Sequence, residues 1–171
     1  VTFHPTNNNY VFFSHHRDSI FGCLYRIDPD GAGSIEQGDG CFDGDYTISV
    51  GDEVGQKSSA WVTSDGRTAY VPLNYVSNSL SNTGGASVAK VDISDPDPNN
   101  WEVAAPVNWS ANMQYLSNSI MVDDVLYTLS ETGFLTLDTD TDTAGSVAFN
   151  GAGPLIASSV YDADGKIWAF S

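Results

Sequence analysis

Residues 125–138 read Val-Leu-Tyr-Thr-Leu-Ser-Glu-Thr-Gly-Phe-Leu-Thr-Leu-Asp, two apolar runs separated by a polar turn that contains glycine. Runs of this length that contain β-branched and aromatic residues predict two short strands. The first run has counterparts elsewhere, because short β-type runs begin at Val11, Tyr70, Tyr127 and Trp168. These starts lie 59, 57 and 41 residues apart. A period of about 40–60 residues with several strands per repeat is typical of a β-propeller.

Turns and loops repeat together with these runs. The first run follows an Asn-rich segment that can make a tight turn, and the other three follow Asp/Gly turns at Asp65-Gly66, Asp123-Asp124 and Asp164-Gly165. Residues 28–35 and 140–147 share the form Asp-x-Asp-x-Ala-Gly-Ser-(Ile/Val), and residues 95–101 are a looser copy. Each copy falls between the predicted third and fourth strands of a repeat. A shared loop at equivalent points favours repeated blades over an ordinary β-sandwich.

The predicted fold is all-β, a β-propeller built of four-stranded antiparallel blades, with about three and a half blades present. No window shows a convincing helical period. The single domain divides into a first blade at 1–50, a second at 51–107, a third at 108–151 and a half-blade at 152–171. The predicted strands, blade by blade, are 1–4, 10–14, 23–27 and 46–50; 59–63, 68–73, 87–93 and 101–105; 119–122, 125–130, 134–137 and 146–149; 156–161 and 166–170.

The blade count leaves three interpretations, because propellers usually close with four to eight blades. The chain is part of a longer polypeptide, which is the preferred interpretation. Alternatively, other chains complete the ring, or the half-blade pairs with the N-terminal segment in a small ring. Further blades from the same or another chain are therefore among the expected partners.

Residues 125–138 and the stretch Asp164-Gly-Lys-Ile-Trp-Ala-Phe170 resemble the repeats of the quinoprotein-like (PQQ-type) and related propeller families. Those repeats show a strand, a polar turn with glycine, and an apolar strand ending in Asp. The resemblance covers about a third of the chain. It implies the blade fold and assigns no residues to quinone binding.

Charge limits the function classes. The chain of 171 residues has 6 Lys+Arg against 22 Asp+Glu, a net charge of −16. Such a surface repels nucleic acid and anionic membranes, because phosphate binding needs clustered Lys and Arg. No apolar run approaches the roughly 20 residues of a membrane span, so no membrane insertion is expected. The acidity is interpreted as solubility in an extracellular setting, with divalent-cation binding as the alternative.

Three further features bear on localisation. The chain starts at Val1 without an initiator Met or a signal-peptide pattern, so a processed or partial chain is expected. The sequon Asn108-Trp-Ser110 fits an exported protein. Cys23 and Cys41 would pair in a secreted protein, where the disulfide would contribute about 3 kcal/mol. The alternative is two buried free thiols. The expected localisation is secreted.

Candidate catalytic residues lie on one predicted face. In a propeller, the loops after the second and fourth strands of each blade emerge together. They are predicted to bring together His15, His16, Arg17 and Tyr75. Arg17 would neutralise a uronate carboxylate, and a histidine with Tyr75 would serve as base and acid. Some propeller polysaccharide lyases are similar, but a His-His pair on a loop is also explained as an exposed polar turn.

Candidate ligand-binding residues on the same face are Asn74, Trp109 and Tyr115. An aromatic ring in a loop can stack on a sugar ring or a protein partner, although most aromatic residues of this chain are expected between blades.

Candidate metal ligands lie on the opposite face, in loops between third and fourth strands. They are Asp28, Asp30, Asp138, Asp140 and Asp142. Residues 28–36 partly resemble an EF-hand calcium loop, but Ala32 offers no side-chain oxygen where the motif needs one. The simpler interpretation is that these aspartates form turns. No cofactor is required, and Ca²⁺ is the one ion that the pattern indicates.

The sequence therefore predicts an extracellular recognition or assembly module that binds a glycan or protein partner through propeller loops, an interpretation that favours a non-enzyme and leaves enzymatic activity open. One alternative is a carbohydrate-active enzyme, such as a lyase on acidic polysaccharide. Another is a structural subunit of an extracellular filament or surface layer. No nucleophile elbow, Walker loop or paired-Cys zinc pattern is present in the sequence.

Overall fold

The predicted β architecture is confirmed. A computed structural model describes residues 2–5, 10–15, 22–27, 35–42, 52–57, 60–77, 86–108, 119–130, 133–148, 159–161 and 165–169. Strands dominate these ranges, together with a 3₁₀ helix at Pro98–Asn100. In the same ranges, no helix is long and apolar enough to cross a membrane.

Four antiparallel sheets follow one another along the chain. The first contains β1 (Thr2–Phe3), β2 (Tyr10–His15), β3 (Gly22–Ile27) and β4 (Ile35–Phe42). The second contains β5 (Asp52–Lys57), β6 (Trp61–Val62), β7 (Thr68–Ser77), β8 (Ala86–Asp92) and β9 (Glu102–Asn108). The third contains β10 (Ser119–Val122), β11 (Val125–Leu129), β12 (Gly133–Asp138) and β13 (Thr143–Ala148). The fourth pairs β14 (Ser159–Tyr161) with β15 (Ile167–Ala169).

Each of the first three sheets is a meander in which neighbouring strands pair in sequence order. The second sheet differs at its first strand, since β5 and β6 pair with successive stretches of the same edge of β7. Lys57 lies opposite Leu73, and Trp61 lies opposite Tyr70. This is the four-stranded blade pattern, with the first strand of one blade interrupted. The ring is not closed.

The last strand of the first blade was predicted in the wrong place. The strand that pairs with β3 is β4, Ile35–Phe42, whereas the predicted strand at 46–50 lies outside the described residues. The sequence of β4 is Ile-Glu-Gln-Gly-Asp-Gly-Cys-Phe, in which most residues have low β-propensity. Packing against β8, β9 and the 3₁₀ helix compensates for this weak local preference.

The sheets stack face to face, and the second sheet is buried on both faces. Along β7, Ala69 and Val71 join an apolar cluster that includes Leu24 of the first sheet. The intervening Tyr70 belongs to a second cluster with Leu126, Leu135 and Leu137 of the third sheet. Alternate side chains of one strand therefore hold two neighbouring sheets. This explains why residues 69–72 form a continuous apolar run rather than an alternating one.

The outermost strand of the third sheet has a different environment. All side chains of β13 are exposed, and Val147 is 56% exposed. The strand contains no charged residue. In the described part of the chain, no strand pairs with its outer edge, and proteins often cover or charge an edge of this kind.

Candidate functional site

The stack has two distinct ends, fixed by contacts between turns of successive sheets. His4, which follows β1, donates its Nε2–H to the Gly66 carbonyl in the turn before β7, at 2.9 Å. The amide of Ser64 in that turn donates to Asp124 Oδ1 in the turn before β11, at 2.7 Å. We call this end the turn face. The opposite end, where β2, β7 and β9 finish, is the loop face.

At the loop face, the first sheet ends in three residues that lie side by side on neighbouring strands. His15 is the last residue of β2 and lies opposite Gly22, which lies opposite Phe42. His16 and Arg17 follow directly but lie outside the described residues. The backbone therefore places His15, the first residue of the predicted His-His-Arg segment, at the loop face.

The second sheet extends further at the loop face than the sequence predicts. Asn74 and Tyr75 were assigned to a loop, but both lie within β7. Asn74 pairs with Ala86, the first residue of β8. In the described part of the chain, residues 75–77 pair with β5 alone, as a two-stranded ribbon that projects about 10 Å beyond β8. The prediction of a loop at Asn74 and Tyr75 failed because the polar β5 was assigned to a connection. Without β5, residues 75–77 had no apparent strand to pair with.

For the aromatic ligand-binding residues predicted on this face, the structure describes only the strand that precedes them. β9 ends at Asn108, on the loop face, and Trp109 follows it. Trp109 and Tyr115 themselves lie outside the described residues. The structure thus places His15, Tyr75 and Asn108 at one end of the stack, and the positions and roles of His16, Trp109 and Tyr115 stay predictions.

On the turn face, two of the aspartates predicted to bind calcium, Asp138 and Asp142, have partners in the protein. Asp138 ends β12, and its Oδ1 accepts the amides of Asp140 and Thr141, each at 3.1 Å. Asp142 accepts hydrogen bonds from the Tyr70 hydroxyl at 3.0 Å and from Lys90 Nζ at 2.6 Å. Asp140 is exposed. These carboxylates shape a turn and join two sheets.

Calcium needs six to eight oxygen ligands, which these aspartates do not supply. Among the residues that the structure describes, no three His, Cys, Asp or Glu side chains are grouped so that they could hold a metal ion. The predicted cation site at Asp138, Asp140 and Asp142 stays a prediction, and the structure gives two of these carboxylates protein partners instead. Asp28 and Asp30, the other predicted ligands, lie outside the described residues.

Asp142 is the centre of a contact between the second and third sheets. Lys90 Nζ lies 5.7 Å from the centroid of the Tyr70 ring, so the cation contacts both the ring face and the carboxylate. Burial raises the pKa of the Tyr70 phenol, and the hydrogen bond to Asp142 raises it further. The phenol therefore stays protonated and serves as a donor. Asp142 has a φ of 52°, a conformation that Asp tolerates better than most residues.

Other turn-face aspartates serve the same structural purpose. Asp65 accepts the Thr63 hydroxyl at 2.7 Å and the Arg67 amide at 3.0 Å, and these hydrogen bonds lower its pKa. Hydrogen bonds from Ser94 lower the pKa of Asp92 in the same way. Both carboxylates are thus stabilised in the charged form by their own turns.

Burial lowers the pKa of His4, which is 4% exposed. Because the Gly66 carbonyl can only accept, Nε2 carries the proton of the neutral ring. A neutral histidine in this position joins the first and second sheets without placing a charge inside the interface. Arg26 makes a second link, donating to the Pro96 carbonyl in the β8–β9 connection.

The hairpin turn Asp123-Asp124 provides a matched test of the turn-face contacts. Both residues have positive φ, 49° and 56°, as a two-residue type I′ turn requires. Within the described ranges, Asp124 alone of the two has hydrogen bonds to the neighbouring sheet, since its carboxylate accepts them from the Ser64 amide and hydroxyl.

Asp124→Ala is expected to lower the free energy of unfolding by about 1.5–3 kcal/mol more than Asp123→Ala does. Alanine suffers the same left-handed backbone strain at both positions, so the difference isolates the inter-sheet hydrogen bonds. Urea denaturation of both variants measures it. Equal losses would show that the Ser64 contact contributes nothing.

Sequence reasoning missed both inter-sheet carboxylate contacts. Asp142 and Lys90 are 52 positions apart, and Asp124 and Ser64 are 60 apart. The repeat indicated that the turns are equivalent, but no local pattern shows which residues of one blade face the next.

Comparison with known proteins identifies no relative, so the fold is assigned from the strand topology alone. No protein-family model matches the chain, and no curated protein matches it significantly in sequence. The blade-like stack of antiparallel sheets is what identifies the architecture.

Proposed function

We propose that the chain is an extracellular recognition and assembly module that binds a glycan or protein partner at its loop face. The observation that supports this most is the alignment of the sheets by His4, Ser64 and Asp124 at the turn face. These contacts hold the three sheets in line, with the ends of β2, β7 and β9 at the opposite end of the stack. A partner bound there would meet the connections of several sheets at once. Binding residues commonly lie on loops held by a rigid scaffold.

The chemistry of that surface suits a carbohydrate. The β5–β7 ribbon forms one wall at the loop face. Arg17 and Trp109 follow the ends of β2 and β9 in sequence, so we expect them at the same end. Aromatic rings that stack on sugars, with polar groups that orient them, are common in such sites.

The net charge of −16 favours a neutral glycan or a cationic protein surface over an acidic polysaccharide. A field of this sign repels polyanions before they reach any local arginine. The charge thus counts against the lyase alternative, although His15 and Tyr75 lie at the same end of the stack.

We also infer that the sheets follow the quinoprotein-like repeat pattern. The strand, turn and strand of residues 125–138 form a hairpin as those repeats do, and the last strand ends in Asp138. This concerns the scaffold and implies no quinone.

A glycan array with neutral and uronate-containing oligosaccharides tests the proposal. Wild-type protein is expected to be retained on neutral glycans without forming product, and Arg17→Ala to lose about tenfold or more in affinity. The matched control is Lys166→Ala, which removes the same charge from an exposed position in the turn between β14 and β15.

Equal effects of the two variants would contradict binding at the loop face. New ultraviolet absorbance from an unsaturated uronate, lost in His15→Ala, would replace the proposal with the lyase. Self-association at micromolar concentration without retention on any glycan would replace it with the structural subunit.

A further inference from the structure

The first sheet brings its two cysteines directly opposite each other. In the antiparallel register of β3 and β4, Cys23 pairs with Cys41, one pair away from Gly22 and Phe42 at the loop face. We propose that Cys23 and Cys41 form a cross-strand disulfide that fixes the position of β4 in the sheet.

The backbone geometry suits this bond. Directly opposed residues in antiparallel strands have Cα atoms about 4.5–5.5 Å apart. Disulfides span Cα distances of about 4.4–6.8 Å. The sequence alone gives a separation of 18 positions and no proximity. The strand register supplies the proximity and so distinguishes a pair from two unrelated thiols.

β4 is a strand that needs such a link. Between the Cys23–Cys41 and Tyr25–Gln37 pairs, the register shifts, so that four steps along β4 face two along β3. This bulge contains Gly38, Asp39 and Gly40, which have low β-propensity. Register is weakly specified in strands of this composition. A covalent bond immediately after the bulge holds the end of β4 beside β3.

The link also fixes the strand pairs nearest to His15. Ser14 lies opposite Cys23, and His15 lies opposite Gly22. The disulfide would therefore join the two last pairs of β2, β3 and β4 into one rigid edge of the loop face. This holds whether or not the loop face binds a partner.

Formation of the bond requires a two-electron oxidant, and the proposal names a disulfide of the glutathione or dithiol-oxidoreductase class. One cysteine thiolate attacks the oxidant's disulfide, forms a mixed disulfide and releases one thiol. The second cysteine thiolate then attacks the mixed disulfide and releases the second thiol. Two cysteine thiols are oxidised and one oxidant disulfide is reduced to two thiols, which take up the two protons.

Thiol alkylation and intact mass test the bond in the full chain. After equilibration with oxidised glutathione, the protein is unfolded in guanidinium chloride and alkylated, with or without prior reduction. We expect no alkyl groups without reduction and two with it, on a monomer. Two alkyl groups before reduction, two glutathione adducts, or a reducible dimer would each overturn the proposal.

Thermal unfolding distinguishes a register-fixing bond from an incidental one. The oxidised wild type is expected to unfold about 5–10 °C above the Cys23→Ser/Cys41→Ser variant. Reductant should remove that difference and leave the midpoint of the double variant unchanged. If the double variant does not fold, the reduced wild type takes its place as reference. An unchanged wild-type midpoint on reduction would contradict a role in holding β4.

Discussion

Gly133→Ala is expected to destabilise the protein by about 3 kcal/mol or more. A Cβ at Gly133 would lie 2.1 Å from the Val147 carbonyl oxygen and 2.9 Å from the Ala148 Cα. All these atoms belong to the backbone of β13, so no side-chain rotation relieves the clash. Gly133 is buried and lies opposite Ala148, and β13 would have to separate from β12 at this pair.

Gly145→Ala is the matched control, since it makes the same change within the same pair of strands. A Cβ there would meet only the Thr136 Oγ1, at 2.9 Å, which belongs to a side chain and not to the backbone. The expected change is within about 1 kcal/mol. Urea denaturation followed by circular dichroism compares the two midpoints. If both variants unfold at the same urea concentration, the close approach of β12 and β13 at Gly133 is refuted.

Leu126→Ala is expected to lower the free energy of unfolding by about 2–5 kcal/mol. Leu126 is fully buried, pairs with Leu137 across β11 and β12, and packs in the cluster that includes Tyr70 and Val88 of the second sheet. Its truncation leaves a cavity between two sheets that are held together largely by this cluster.

Val147→Ala is the control for Leu126→Ala, because Val147 is 56% exposed and should change stability by no more than about 0.5 kcal/mol. A cycle with Val88→Ala shows whether the loss concerns the inter-sheet contact. A coupling of about 0.5 kcal/mol or more between Val88 and Leu126 is expected. Additive losses would show that Leu126 stabilises the third sheet alone.

The third sheet shows how far local sequence determines the fold. Its four strands lie within a few residues of their predicted positions. Residues 119–148 contain short apolar runs that are separated by short polar turns, so the strand positions can be inferred from local sequence. The Asp123-Asp124 turn was predicted from residue type and has the positive φ values that explain the choice of Asp.

β4 and β5 show where local reasoning fails. Both are polar or glycine-containing, and their strand conformation comes from partners that are themselves placed by tertiary packing. The same limit applies to the candidate site. The repeat placed His15 at the loop face, but extension of β7 past Asn74 depends on β5.

The carboxylate contacts could not be predicted for a further reason. Asp142 belongs to a loop motif that is repeated in the chain, and the motif suggested cation binding. The partner that neutralises it is Lys90, a lysine on the neighbouring sheet. Contacts of this kind depend on how two blades are rotated against each other, which periodicity does not specify.

The uncharged outer edge of β13 has a consequence for the colloidal behaviour of the protein. Among the residues that the structure describes, nothing pairs with this edge. Thr143–Ala148 therefore offers its backbone donors and acceptors to a second copy, without a charged side chain that would oppose strand pairing. Mutual repulsion of molecules with a charge of −16 opposes that encounter in dilute buffer. The range of this repulsion shrinks to about 3 Å in molar salt. The negative charge that keeps the molecules dispersed therefore opposes association through the edge of β13, and molar salt removes that opposition.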